Sequence, residues 1–100
     1  MSGEAPDAER FLALAARLRE EDSQLSPIGA GLLAAAHMGI AHDSRTFARL
    51  LGLAHALVLR ELAALAGRGD LLHIEKRDGR TMRTHYALGD GVKRYAALLA

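Results

Sequence analysis

Between Ser44 and Leu88 the hydrophobic period of the chain changes from helical to strand-like, and glycine marks each break. Phe47, Leu50 and Leu51 recur at the spacing that buries one side of a short helix, over about Ser44–Leu51, with Asp43 or Ser44 as its N-cap. Gly52 follows, where a tight interhelical turn needs the left-handed backbone that glycine adopts without strain. Val58, Leu62 and Leu65 define a second helix over about Ala54–Ala66, ended by Gly67 and Gly69. Two strand-like runs then flank Asp78-Gly79-Arg80, with Lys76, Arg77, Arg80 and Arg83 grouped around that tip. A helix pair followed directly by a cationic hairpin leaves few ways to build a core.

The hairpin carries a register clue. Leu72 and Ile74 are apolar at even positions, and Met82, Thr84, Tyr86 and Leu88 also fall on even positions. For both sets to share one face, paired residue numbers must sum to an even number. A two-residue Asp78-Gly79 turn would set Leu72 beside His85 and mix the faces. The pattern therefore predicts a loop of three or more residues, or a bulge near the tip.

The flanking segments are helical. Met1–Ala5 is small and polar and is expected to fray. Pro6-Asp7 suits a helix start, and Phe11, Leu14, Ala15 and Leu18 make an apolar stripe on a helix of about Asp7–Glu21. Ser26-Pro27 is a second start signal, with Ile28, Leu32, Ala35 and Ala36 on the buried side, His37 near the end and Gly39 as C-cap. Ile40-Ala41 could add a very short strand to the hairpin. Val92, Tyr95, Ala96 and Leu99 predict a last helix beginning near Gly89-Asp90. With 20 Ala and 18 Leu in 100 residues, strong helix formers dominate. The expected fold is mainly α with a small β-hairpin, in one domain: an N-terminal helix within 1–25, a core over 26–88 and a C-terminal helix over 89–100.

Composition narrows the chemistry. There is no Cys, which excludes disulfides, thiolate zinc sites and cysteine nucleophiles and fits a reducing cytoplasm. No signal-peptide pattern opens the chain, and its longest apolar stretch, near Ile28–Met38, is too short and too interrupted by glycine to cross a bilayer. The five histidines, at 37, 42, 55, 73 and 85, lack metal-site spacing or grouped carboxylates, although His73 and His85 lie on facing strands. No Ser-His-Asp arrangement, phosphate loop or carboxylate pair can be placed, so neither enzyme activity nor a cofactor or metal is expected. Charge is divided: residues 1–43 carry three Arg against seven Asp/Glu, and residues 44–100 carry ten Lys/Arg against five Asp/Glu. That division suits one face directed at a polyanion and another directed away.

The order of elements resembles a winged helix-turn-helix domain of the MarR/PadR type of bacterial transcriptional regulator, over about Ser26–Tyr95. Phe47-Ala48-Arg49-Leu50-Leu51-Gly52-Leu53 resembles that family's second helix and turn. Arg68-Gly69-Asp70-Leu71-Leu72 resembles its step into the wing, and Asp78-Gly79-Arg80 with Tyr86-Ala87-Leu88 resembles the wing itself. The resemblance implies a recognition helix over Ala54–Ala63 in the major groove of duplex DNA and Arg80 on the minor groove or phosphate. The residues then expected at DNA are Ser44, Arg45, His55, Ala56, Arg60, Lys76, Arg77, Arg80 and Arg83. It also implies a homodimer through the terminal helices, with Phe11, Leu14, Leu18, Tyr95 and Leu99 at the contact. A small-molecule effector pocket is compatible with such a dimer, though no residues identify one.

The candidate recognition helix departs from that family in having few reading groups. With Val58 at the core centre, 100° per residue places Ala56, Arg60 and Ala63 opposite, flanked by Leu57 and Leu59. His55 and Arg60 alone can make directional contacts. Either small side chains let the backbone approach DNA closely, with affinity from phosphate contacts, or Leu57 and Leu59 mark a protein-contact surface on a domain that no longer binds DNA.

Overall fold

The structure, a computed structural model, describes residues 4–99, with side chains from Asp7 onward. It is mainly helical with one two-stranded antiparallel hairpin. The elements run α1 (Glu4–Glu21), α2 (Pro27–His37), α3 (Ser44–Leu51), α4 (His55–Ala66), β1 (Leu72–Arg77), β2 (Thr84–Leu88), a 3₁₀ segment (Asp90–Tyr95) and α5 (Ala96–Leu99). Helix α1 begins ahead of the expected Asp7. Of the stretch expected to fray, Met1–Gly3 lies outside the described residues.

Helix α2 is the hub. Ser26 caps it as the sequence predicts, its Oγ accepting the Gly29 N–H at 2.9 Å. Every residue from Gly29 to Ala36 is buried, and all but Leu32 and Leu33 are glycine or alanine, so neighbouring elements pack closely around a narrow helix. A Cβ on Gly31 would stand 3.3 Å from Phe47 Cζ and 3.6 Å from Phe11 Cζ, so this bare position seats the α3 and α1 aromatic rings against α2. Leu18, Leu32, Val58, Leu62, Leu71, Leu72, Tyr86 and Tyr95 complete the core.

Helix α3 buries Ser44, Phe47 and Ala48 only. Leu50 and Leu51, expected in its core, are 55% and 42% exposed. The helix has eight residues, and the chain turns at Gly52 (φ +66°), where Leu53 packs against the core instead. Asp43 is the N-cap, accepting the Thr46 N–H at 3.0 Å. The third hairpin strand expected at Ile40-Ala41 does not form there, because both N–H groups close the end of α2 on the Ala35 carbonyl. One step later, Asp43 bridges His85 and the Tyr86 N–H donates to the His42 carbonyl.

The hairpin meets the parity rule at its base and breaks it with a bulge. Leu72 pairs with Leu88 and Ile74 with Tyr86, both even sums; Glu75 is the extra residue, and Lys76 then pairs with His85 and Arg77 with Thr84. Thr84 and Tyr86 are buried in the core, whereas Ile74 and Met82 are more than a third exposed. His73 pairs with Ala87 and so is not opposite His85.

The last helix is shorter than its periodicity suggests. A 3₁₀ segment brings Tyr95 inward, and one α turn follows. Tyr95 donates its O–H to Asp22 at 2.6 Å, and Arg68 bonds the same carboxylate oxygen at 2.5 Å. This triad ties the end of α1, the α4–β1 turn and the C-terminal segment together. Tyr95 and Leu18, expected at a dimer contact, are both buried inside the protomer.

The Tyr95 hydroxyl, together with Arg68, holds the Asp22 carboxyl down at about 2, below its ordinary 3.8. A depressed carboxyl adds stability above its unfolded value and loses it as pH falls through its folded one. The stability gap between wild type and Asp22→Asn is therefore expected to be full above pH ~4, on the order of 1–2 kcal/mol, and to close by about pH 2. Urea titrations at pH 5 and pH 2 check this; a gap unchanged between them contradicts it.

Candidate nucleic-acid interface

Three chain segments converge on one buried hydroxyl. Ser44, the first residue of α3, is fully buried. Its Oγ accepts the Thr84 N–H at 2.9 Å from the start of β2 and lies 2.7 Å from His55 Nε2 at the start of α4. Burial and the Arg45 guanidinium hold the His55 imidazole below its ordinary 6.5. The ring is then neutral near pH 7, and the arrangement that satisfies all partners has the Ser44 O–H donating to Nε2. One side chain thus pins the N-termini of both helices to the hairpin. The same contact takes Ser44 away from any surface, which corrects its expected place among the DNA-contacting residues.

Around this point the cations divide into braces and free ends. Arg83 pairs with Asp43 through its Nε at 2.9 Å. Burial alone would raise the Asp43 carboxyl, but the Thr46 hydrogen bonds and the Arg83 guanidinium hold it low. Arg45 reaches across to the Thr81 carbonyl at 3.0 Å, and Arg77 donates through Nε to Thr84 Oγ1 at 3.2 Å. Arg83 and Arg45 tie the hairpin to the start of α3, Arg77 cross-links its two strands, and each keeps unused N–H groups on its guanidinium. Among the described residues, Arg60, Lys76 and Arg80 have no side-chain hydrogen bond or ion pair and are exposed. Asp78 shapes the tip by accepting the Arg80 and Thr81 N–H groups at 2.8 and 3.2 Å, which lowers its carboxyl below the usual range.

Helix α4 buries Val58, Leu62 and Leu65, as its periodicity predicts. Ala56, Arg60, Ala63 and Ala64 are exposed on the other side, and Leu57 and Leu59 are half-buried at the edges. Ala54 provides no capping side chain, so no side chain satisfies the first-turn N–H groups of α4. Glu61 accepts the Ser26 O–H at 2.5 Å, on the flank toward α2. The face opposite the core therefore holds no carboxylate.

The sequence exposed the list of cations but not their division. Arg83 to Asp43 spans 40 residues and Arg45 to Thr81 spans 36. Asp43 was legible as a cap and not as a counter-ion. Nothing in the sequence marks the Ser44–His55 contact, since each residue alone reads as a polar helix start. Among the described residues no three His, Asp or Glu side chains gather as a metal site, and no helix is long and apolar enough to cross a membrane. No family model matches the chain, and no curated protein matches it.

Proposed function

We propose that the chain is a winged helix-turn-helix protein of the MarR/PadR kind that binds duplex DNA, with α4 in the major groove and the β1–β2 tip on the adjacent phosphates or minor groove. The convergence at Ser44 carries this reading. It locks the start of α4 and a cationic hairpin into one rigid unit, with the far side of α4 clear of the protomer's own packing. Five cations, Arg45, Lys76, Arg77, Arg80 and Arg83, stand against three carboxylates there, Asp43, Glu75 and Asp78. Two of those carboxylates are already used, in the Arg83 pair and in the tip turn. The uncapped start of α4 adds the positive end of a helix dipole.

A homodimer belongs to the same proposal. With Leu18 and Tyr95 inside the protomer, Phe11, Leu14 and Leu99 stay half-buried for a contact. Phe11 also lines an apolar groove with Ile40, Leu50 and Leu51. Sedimentation at micromolar concentration decides the dimer. A role in transcription follows from duplex binding by analogy with the resembled family. The alternative, a protein-contact module that has lost DNA binding, rests on Leu57 and Leu59, which are half-buried at the edges of α4.

Fluorescence anisotropy of a labelled duplex across a salt series tests the proposal. The log–log slope of affinity against salt is expected to be negative and shallower by roughly one in Arg80→Ala. Arg60→Ala is expected to weaken binding and flatten the preference among duplex sequences. Absence of binding at low salt would sink the proposal.

A further inference from the structure

We propose that α4 selects A·T-rich duplex by seating small apolar side chains on the 5-methyl groups of thymine. This inference rests on the DNA-binding function proposed above and extends it to the chemistry of the preferred site. The exposed face of α4 consists of Ala56, Arg60, Ala63 and Ala64. The two other polar side chains of the helix are engaged: His55 Nε2 by Ser44 and Glu61 by Ser26. Arg60 is then the one hydrogen-bonding group on that face among the described residues. A surface so poor in donors and acceptors cannot distinguish base pairs by hydrogen-bond pattern at more than about one position. The major-groove edge of DNA carries one apolar marker, the thymine methyl, and alanine methyls fit against it. Alanine is also short enough to let the α4 backbone approach the base edges. The flanking cations Lys76 and Arg80 match the phosphates in charge and leave sequence choice to this apolar strip.

The test compares the wild-type protein on two alternating duplexes of equal length, poly(dA-dT) and poly(dA-dU), by anisotropy at matched salt. The duplexes carry the same phosphates and hydrogen-bonding edges and differ in the 5-methyl group. Burying one methyl changes affinity about fourfold, so contacts from Ala56 and Ala63 predict about 4- to 15-fold tighter binding to the thymine duplex. Ala56→Gly and Ala63→Gly, made singly and checked for folding by circular dichroism, should each bring that ratio toward one. Arg80→Ala should weaken binding to both duplexes and leave the ratio unchanged. Equal wild-type affinity for the two duplexes overturns the methyl contact and leaves DNA binding standing. A ratio that persists in both glycine variants also overturns it, because the preference then comes from duplex stiffness. Absence of binding to either duplex at low salt overturns the proposed function itself, and the methyl contact with it.

Discussion

Gly91→Ala is expected to destabilise the chain by about 3 kcal/mol, lowering Tm by roughly 12–20 °C. The C-terminal segment is zipped onto the α4–β1 turn backbone to backbone. The Gly89 N–H donates to the Leu71 carbonyl and the Gly91 N–H to the Asp70 carbonyl, each at 2.9 Å. A Cβ on Gly91 would overlap the Gly69 carbonyl oxygen and crowd the Asp70 carbonyl. Both obstacles are main chain, so no rotamer change relieves them. The segment must lift off, and Tyr95 leaves Asp22 with it. Gly79→Ala is the matched control: nothing lies within 4 Å of the added methyl, and the change is expected to stay within about 0.5 kcal/mol. Thermal melts of the two variants measure the contrast. A Gly91→Ala protein melting within a few degrees of wild type would show that the crossing yields more readily than two opposed backbones should.

Ser44→Ala is expected to cost about 2–3 kcal/mol, a large loss for one oxygen atom. The Thr84 N–H would be left buried without an acceptor, and an unsatisfied buried donor costs about 1–3 kcal/mol. The His55 imidazole loses its Ser44 partner in the same step. Urea denaturation followed by circular dichroism gives the loss, and a change below about 0.5 kcal/mol would remove Ser44 as the joint of the three segments. The joint also has a pH signature. A histidine held below 6.5 in the folded state takes up fewer protons there than in the unfolded chain, so stability falls as pH drops through 6.5. That acid-side loss is expected to persist in Ser44→Ala, because burial and the Arg45 guanidinium, which lower the imidazole, are unchanged there. For the proposed function, the variant should also weaken DNA binding without removing any cation, because the hairpin and α4 are no longer held in one unit.

Local structure was legible wherever one residue decides its own backbone. Ser26-Pro27 marks the start of α2, Gly52 the left-handed turn, and Gly67 the end of α4. An irregular hairpin was legible too, as a longer loop or a bulge near the tip, because alternation with period two leaves a strand pair few ways to keep both apolar sets on one face; which of the two, and the bulge's place at Glu75, was not. Leu50 and Leu51 show where such rules stop. They sit on a helical period inside α3, yet both stay exposed at its end, along the groove that Phe11 and Ile40 also line. Tyr95 erred the other way: its stripe marked a surface helix, while a 3₁₀ segment turns the ring inward onto Asp22, 73 residues away.

The sequence by itself determined the order of elements, the side of α4 that faces the core and the set of cations near the hairpin. These follow from interactions within about four residues along a helix or two along a strand. The tertiary structure alone decided which cations brace the hairpin and which stay free, and it drew Ser44 from the surface into a joint between two helices and a strand. Those outcomes depend on which faces meet, and contacts across 36 to 40 residues leave no periodic trace in a single chain.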